Sequence, residues 1–362
     1  MALDPVKLPL PAHSARFRAE GPVRFAGNPF YSAICDTIAN DNFLLELASL
    51  AAPGEDPIYL LLGAVHFLLL SDGAHPLAEA YSRPKSPGAG HEAQQLLGSF
   101  CAEHIEAIRL LLESRSVQTN DAGRSALLVG GILKLEELLG RKALTLVDVG
   151  CSAGLNLNFD LFRFQFYCGS IGSGRSRTVK LGPPTSEVRI PCRVVGKVPF
   201  LTDAEDLPAI VGRLGIDLRP LDISVAEDVR WLEALVWPGQ RRRLRILRSA
   251  VRVFRHSPRV LIEGDAVTEL PFFQRKVSDG SDLLIFQSFV ESDLRPGLEA
   301  RLRLALAAIS RDRLLRRCFV EWNGGHPELK IEVWDRGGCQ ISLALGTCLP
   351  DGSSLRIYDG GN

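Results

Sequence analysis

The run Leu144-Thr145-Leu146-Val147-Asp148-Val149 favours a strand and meets a glycine at once. Its continuation, Asp148-Val149-Gly150-Cys151-Ser152-Ala153-Gly154-Leu155-Asn156, constrains the fold more than any other stretch. A strand that ends in an acid and turns through two glycines suits an open α/β sheet, where ligands lie beyond the carboxyl ends of strands. Gly150 permits the sharp turn, and Gly154 lets the backbone lie against a ligand. The helix start expected after the loop offers free N–H groups, while Asp148 can orient loop amides or accept from a cationic ligand. The spacing Gly-x-x-x-Gly departs from the dinucleotide pattern Gly-x-Gly-x-x-Gly, which discounts NAD and FAD. The loop is therefore read as the seat of a phosphate-poor nucleoside cofactor, S-adenosylmethionine, held by Asp148, Gly150, Ser152, Ala153, Gly154 and Asn156.

The flanking pattern agrees. Apolar runs at Val260–Ile262, Leu283–Phe286 and Phe319–Trp322 alternate with helical segments at Gln240–His256 and Leu298–Leu315, as in a mostly parallel sheet covered on both faces. Upstream, Phe30–Leu50, Ile58–Leu70, His91–Leu112 and Ser125–Leu139 read as helices separated by Pro/Gly breaks. Residues 169 to 200 are rich in Gly, Pro and Ser and hold a strand-like Glu187–Val195, read as hairpins inserted into the α/β domain. Ile331–Trp334, Gln340–Leu345 and Leu355–Tyr358 are expected to pair antiparallel at the sheet edge. The expected division is a helical domain or cap over 1–140 and an α/β domain over 141–362, with its insertion at about 169–215.

Composition removes several function classes. Lys plus Arg equals Asp plus Glu at 42 each, so no global charge steers the chain to nucleic acid or lipid. The segment 240–256 is a basic amphipathic helix with Arg241, Arg245, Arg248, Arg252 and Arg255. A solvated outer helix gives the same pattern, and without interleaved aromatics a nucleic-acid partner is not expected. The eight cysteines show no Cys-x-x-Cys pair, so no metal is expected. Met1–Pro11 lacks an apolar signal core, and the run Ile58–Leu70 is interrupted by Gly63 and His66 and is too short to span a bilayer. A cytoplasmic protein without a membrane partner is expected; its oligomeric state is not legible.

The same loop also spells Gly150-Cys151-Ser152-Ala153-Gly154, a formal match to the nucleophile elbow of serine hydrolases. Asp265 and His326 follow Ser152 in the right order, and His256 is the other downstream histidine. Against this, mainly helical residues precede the loop where a hydrolase needs strands, and no His-Gly-Gly-Gly oxyanion segment occurs. The cofactor reading is preferred, and Ser152 as a simple helix cap is compatible with it.

Taken together, Gln118-Thr119-Asn120-Asp121 with Arg124, Gly150–Asn156, Gly215-Ile216-Asp217, Pro220-Leu221-Asp222, the segment Trp231–Pro238 and Gly264-Asp265-Ala266 resemble one family. It is a bacterial domain-of-unknown-function family, number 2332, whose members share a methyltransferase-like domain. The resemblance covers nearly the whole chain. It implies an α/β, Rossmann-like S-adenosylmethionine-dependent methyltransferase fold with an N-terminal all-helical domain and a β-hairpin insertion. The family pattern has His before Ser or Thr where this chain has Gln287-Ser288, and His-Gly where it has Asp351-Gly352.

In methyltransferase-like folds an acid at Asp265 accepts from the adenine amino group, with Ala266 beside the ring; capping the helix that starts near Val267 is the plainer role. The ribose acid stays open between Asp217 and Asp222, with Asp160 a further candidate, because a second strand at Phe162–Tyr167 would end without an acid. Gln118, Asn120 and Arg124 are expected over the cofactor, Arg124 meeting a carboxylate, with surface solvation the competing role. Gln287, Ser288, Glu291 and Glu321 or Asn323 are expected to face a small-molecule methyl acceptor, with Gln287, Ser288 and Glu321 as catalytic candidates. The expected function is methyl transfer to such an acceptor. The rivals are a serine hydrolase using Ser152, a cofactor-binding protein without catalysis and an RNA-associated protein.

Overall fold

The computed structural model describes residues 9–71, 73–169, 176–198, 200–201, 207–255, 260–273, 280–290 and 297–358. The chain divides into two units: Met1–Thr119 with Ser224–Leu244, and Asn120–Ile223 with Arg245–Asn362. His256 and Glu291 lie outside the described residues.

The first unit is helical: α1 (Leu10–Arg24), α2 (Pro29–Asn40), α3 (Asn42–Ala48), α4 (Pro57–Ser71), α5 (Pro76–Ser82), α6 (Ala89–Glu103) and α7 (Ile105–Ser114). Where one helix was expected over Phe30–Leu50, the backbone leaves the helix at Asp41. The Asp41 carboxylate accepts from Leu44 N at 3.1 Å and starts α3 afresh. The segment His91–Leu112 breaks at His104, where the backbone leaves the helix without a side-chain cap. After α8 (Ser125–Leu139), which opens the second unit, α9 (Ala226–Ala234) returns to the first. Here α4 is buried on nearly every face, and a Cβ on its Gly63 would meet Leu235 of the returning segment at 3.0 Å. No single helix among the described residues is long and apolar enough to cross a membrane.

The second unit is an α/β fold around one mixed sheet. Its strands are β1 (Leu144–Val149), β2 (Arg163–Gly169), β3 (Ser176–Leu181), β4 (Arg189–Val195), β5 (Ile210–Asp217), β6 (Val260–Glu263), β7 (Asp282–Ser288), β8 (Leu315–Asn323), β9 (His326–Asp335), β10 (Gly338–Cys348) and β11 (Ser354–Ile357). They lie in the order β3-β2-β4-β11-β10-β9-β8-β7-β1-β5-β6. The block β6-β5-β1-β7-β8 is parallel throughout, whereas β8, β9, β10 and β11 pair antiparallel in sequence. Helices α10 (Arg241–Phe254), α11 (Ala266–Phe273) and α12 (Leu298–Ile309) complete the elements. Leu315, expected to end a helix, instead opens β8.

The tail strands do not form the edge that their spacing suggested. β11 pairs parallel with β4, so the inserted strands β2, β3 and β4 continue the same sheet beyond the tail. Such a long-range pairing leaves no local mark in a sequence. The parallel block is sealed on one face by Val147, Val149, Leu214, Ile216, Leu283, Ile285, Leu302, Leu306 and Trp334. On the helix α8, Gly131 lies so close to β8 that a Cβ there would come within 2.2 Å of Cys318 Sγ.

Candidate functional site

Parallel register brings the chemistry together at one end of the sheet. Val149 of β1 pairs with Ile216 of β5 and Gln287 of β7, while Ser288 pairs with Val320 of β8. The next residues outward are therefore Asp217, Gly150 and Ser288 on three neighbouring strands, with Glu321 one residue beyond Val320 on β8. β1 lies between β5 and β7 and not beside the strand at Arg163–Gly169, and β5 ends in an acid, Asp217.

The loop after β1 turns through Gly150 (φ +69), Ser152 (φ +51) and Gly154 (φ +70). Left-handed backbone is ordinary for the glycines and strained for Ser152. A Cβ on Gly150 would lie 2.6 Å from Val290 Cγ2, and one on Gly154 would lie 2.8 Å from Leu261 Cδ2, so both glycines are set by close neighbours. A short 3-10 stretch, Leu155–Leu161, follows in place of the expected α-helix start.

That difference changes what the loop can bind. Gly150 N and Cys151 N both donate to Ile216 O, Gly154 N donates to Cys151 O, and Ser152 N donates to Asp217 Oδ2 at 2.7 Å. Leu155 N donates to Asn120 Oδ1 at 3.0 Å. The amides of Gly150, Cys151, Ser152, Gly154 and Leu155 are thus already engaged. Acceptors, by contrast, are left over: Asp148 Oδ2, Ser152 Oγ and Asn156 Oδ1 are buried without a hydrogen-bond partner among the described residues. Unpaired buried acceptors are costly, on the order of 1–3 kcal/mol each, and a donor-bearing ligand is the means of relieving them.

Two carboxyls dominate the local field. Burial first, then the nearby Asp217, drives the Asp148 carboxyl well above the ordinary range, partly opposed by Arg124. Burial also raises Asp217, opposed by the amides of Arg219 and Ser152 that donate to it. Asp217 accepts from Arg219 N at 2.9 Å through Oδ1 and from Ser152 N at 2.7 Å through Oδ2. Asp222 is exposed one residue after Leu221, whose amide donates to Ser152 O; Asp160 is paired with Arg213 at 2.5 Å.

Asn120 clasps the loop from both sides. Its Nδ2 donates to Cys151 O at 2.8 Å while its Oδ1 accepts from Leu155 N. Asn120→Ala is expected to lower stability by about 1–3 kcal/mol, since it strips both groups at once; chemical denaturation measures it. Arg124 donates from Nε to Pro350 O at 2.9 Å and from Nη1 to Ser288 Oγ at 3.2 Å. Gln118 lies in the helical unit, two residues before Asn120.

Further along the sheet edge, Asp265 caps α11 through Val267 N at 2.8 Å and meets Arg301 at 3.3 Å. Gly264 N donates to Asp217 O, which brings the end of β6 beside that of β5. Ala266 is the first residue of α11. Gln287 is fully buried: its Oε1 accepts from Arg317 Nη2 at 2.9 Å and its Nε2 donates to Glu321 Oε1 at 3.2 Å. Glu321 Oε1 also accepts from Val290 N at 2.8 Å. Arg317 in turn donates to Glu332 at 3.0 Å.

Sequence reasoning missed this buried chain. Its signal was present, because Arg317 and Glu332 interrupt the apolar runs of β8 and β9 and a charge there needs a partner. Ser152 Oγ meets no base among the described residues, and His326 is exposed at the start of β9. No group of three or more His, Cys, Asp or Glu among the described residues could hold a metal ion.

No curated protein and no solved structure matches the chain. The family model described as "Uncharacterized protein conserved in bacteria (DUF2332)" matches residues 14–356, and the chain belongs to that family.

Proposed function

We propose that the second unit binds S-adenosylmethionine at the Gly150–Gly154 turn and transfers its methyl group to a small molecule. The observation that carries this reading is the polarity of the loop: the amides of Gly150, Cys151, Ser152, Gly154 and Leu155 are engaged within the protein, while Asp148 Oδ2, Ser152 Oγ and Asn156 Oδ1 are buried without a partner among the described residues. A pyrophosphate needs the reverse, free N–H groups and positive charge, so dinucleotides and nucleoside triphosphates fit poorly. An adenosine-bearing sulfonium amino acid fits well, because it presents ribose hydroxyls, an ammonium group and a positive sulfur.

The strand order supports the same assignment. Read by rank within the parallel block, the order is third, second, first, fourth, fifth, with reversal of direction beside β1, where doubly wound sheets bind ligands. Asp217 would accept the ribose hydroxyls from the end of β5. Asp265, after β6, would accept the adenine amino group beside Ala266 at Oδ2, the oxygen that also meets Arg301. Asp148, Ser152 and Asn156 would face the amino-acid end.

When bound, the sulfonium supplies an electrophilic methyl group. The protein's own contribution is positioning and exclusion of water, which converts the encounter into a near-unimolecular step. Ser288 lies at the strand end where an acceptor would approach, with Gln287 and Glu321 shaping that end from beneath.

Isothermal titration calorimetry tests the reading. S-adenosylmethionine and S-adenosylhomocysteine should bind one per chain, with no heat from NAD or ATP at the same concentration. Tight binding of NAD or ATP and none of the sulfonium pair would overturn the assignment.

A further inference from the structure

The strand ends beyond β7 and β8 carry a feature that cofactor binding does not use. Phe289, directly after Ser288, has left-handed backbone (φ +59), a conformation that bulky residues avoid. Strain of this kind persists where the surroundings over-determine a side chain's place, and it concentrates at functional sites. Here it sets the Phe289 ring 5.7 Å from Trp322 at an angle of 46°. The Arg124 guanidinium lies 4.8 Å from the Phe289 centroid. Trp322 is 48% exposed although its strand neighbour Glu321 is buried, so a large aromatic surface stands open at this end of the sheet.

The position of this shelf ties it to the glycine loop. Val290, the residue after Phe289, packs against Gly150, and Arg124 is close enough to Asp148 to pull its carboxyl down. A ligand on the shelf would therefore lie next to the amino-acid end of the loop.

We infer that Phe289 and Trp322, flanked by Arg124 and Ser288, form a stacking shelf for a planar, electron-rich aromatic or heteroaromatic ring. Two ring faces and a neighbouring cation select flat π-systems over saturated rings of equal size. As the shelf of a methyl acceptor this rests on the proposed function; as a ring site it stands alone.

The test titrates 2-naphthol and decahydro-2-naphthol into the full chain by calorimetry, with and without S-adenosylhomocysteine. The aromatic probe should bind at least about tenfold more tightly than its saturated counterpart, because only it can stack. Trp322→Ala should remove about tenfold of that affinity, and Trp322→Phe should keep most of it. Phe289→Gly relieves the left-handed backbone, so the variant should melt no lower than the parent and still lose the probe.

Equal affinity for the two probes, or full binding by Trp322→Ala, would overturn the shelf. Should the homocysteine derivative bind while naphthol fails, the shelf falls and the cofactor reading stands. Should naphthol follow the stated pattern while the derivative fails, the reverse holds.

Discussion

Glu332→Ala should destabilise the second unit by about 3–5 kcal/mol, the range for leaving a buried charge without its partner. Glu332 on β9 is 2% exposed. It accepts from Arg317 at 3.0 Å, from Arg303 at 2.9 Å and from Trp334 Nε1 at 2.8 Å. Burial alone would raise its carboxyl, but Arg317, the Trp334 indole and Arg303 together hold it below the ordinary glutamate range. The folded state therefore favours the ionised form. That stabilisation is complete above the unfolded glutamate pKa and is lost as pH falls through the lowered folded value.

The gap between parent and variant in urea denaturation should thus narrow in acid. Pairing Arg317→Met with Glu332→Leu should recover more than half of the loss, because it removes both charges together. A loss under about 1 kcal/mol for Glu332→Ala at neutral pH would mean that the pair is effectively solvated. The same substitution should slacken the site. Arg317 holds the Gln287 amide, Gln287 and Val290 N share Glu321, and Val290 packs on Gly150.

What could be read beforehand followed periodicity and punctuation. β1, β6, β7 and β8 were legible because short apolar runs meet glycine or helix signals, and α4 because its run is apolar all round. Interruptions at Asp41 and His104 were not: the Asp41 side-chain cap and the backbone kink at His104 each split a helix without disturbing its apolar spacing. The placement of β11 against β4 was equally invisible, because strand pairing depends on what lies across the sheet.

At the site, the glycine turn was legible and its polarity was not. Amide occupancy in the loop depends on Asn120 and Asp217, residues 35 and 65 positions away from their partners Leu155 and Ser152. Asn120 was expected to touch the ligand; its side chain instead holds the loop in shape. That Asp217 ends β5 beside the glycine loop, while Asp222 is exposed, could not be read before the register of β5 against β1 was known. Gln287, expected to meet an acceptor directly, is fully buried and acts on Glu321.

Asp148→Asn should stabilise the protein and cripple the proposed binding site, effects of opposite sign from one atom change. Asp148 is 3% exposed, and its Oδ2 has no hydrogen-bond partner among the described residues. Burial, then Asp217, raises its carboxyl well above the ordinary range, so the folded state retains a proton that the unfolded chain has released. Stability accordingly falls as pH rises from the ordinary aspartate range towards the raised value. An amide cannot ionise, so the variant should melt higher than the parent at neutral pH, with the advantage vanishing below the unfolded aspartate pKa. In exchange, the variant loses a carboxyl that a cationic ligand would draw into its ionised form on binding. A charge-assisted hydrogen bond is worth roughly 1.5–3 kcal/mol, so affinity for S-adenosylmethionine should drop about 10- to 100-fold. Differential scanning calorimetry across pH and titration with the cofactor read the two halves separately. A variant that melts lower at neutral pH would show that Asp148 serves the fold, and unchanged affinity would remove it from the site.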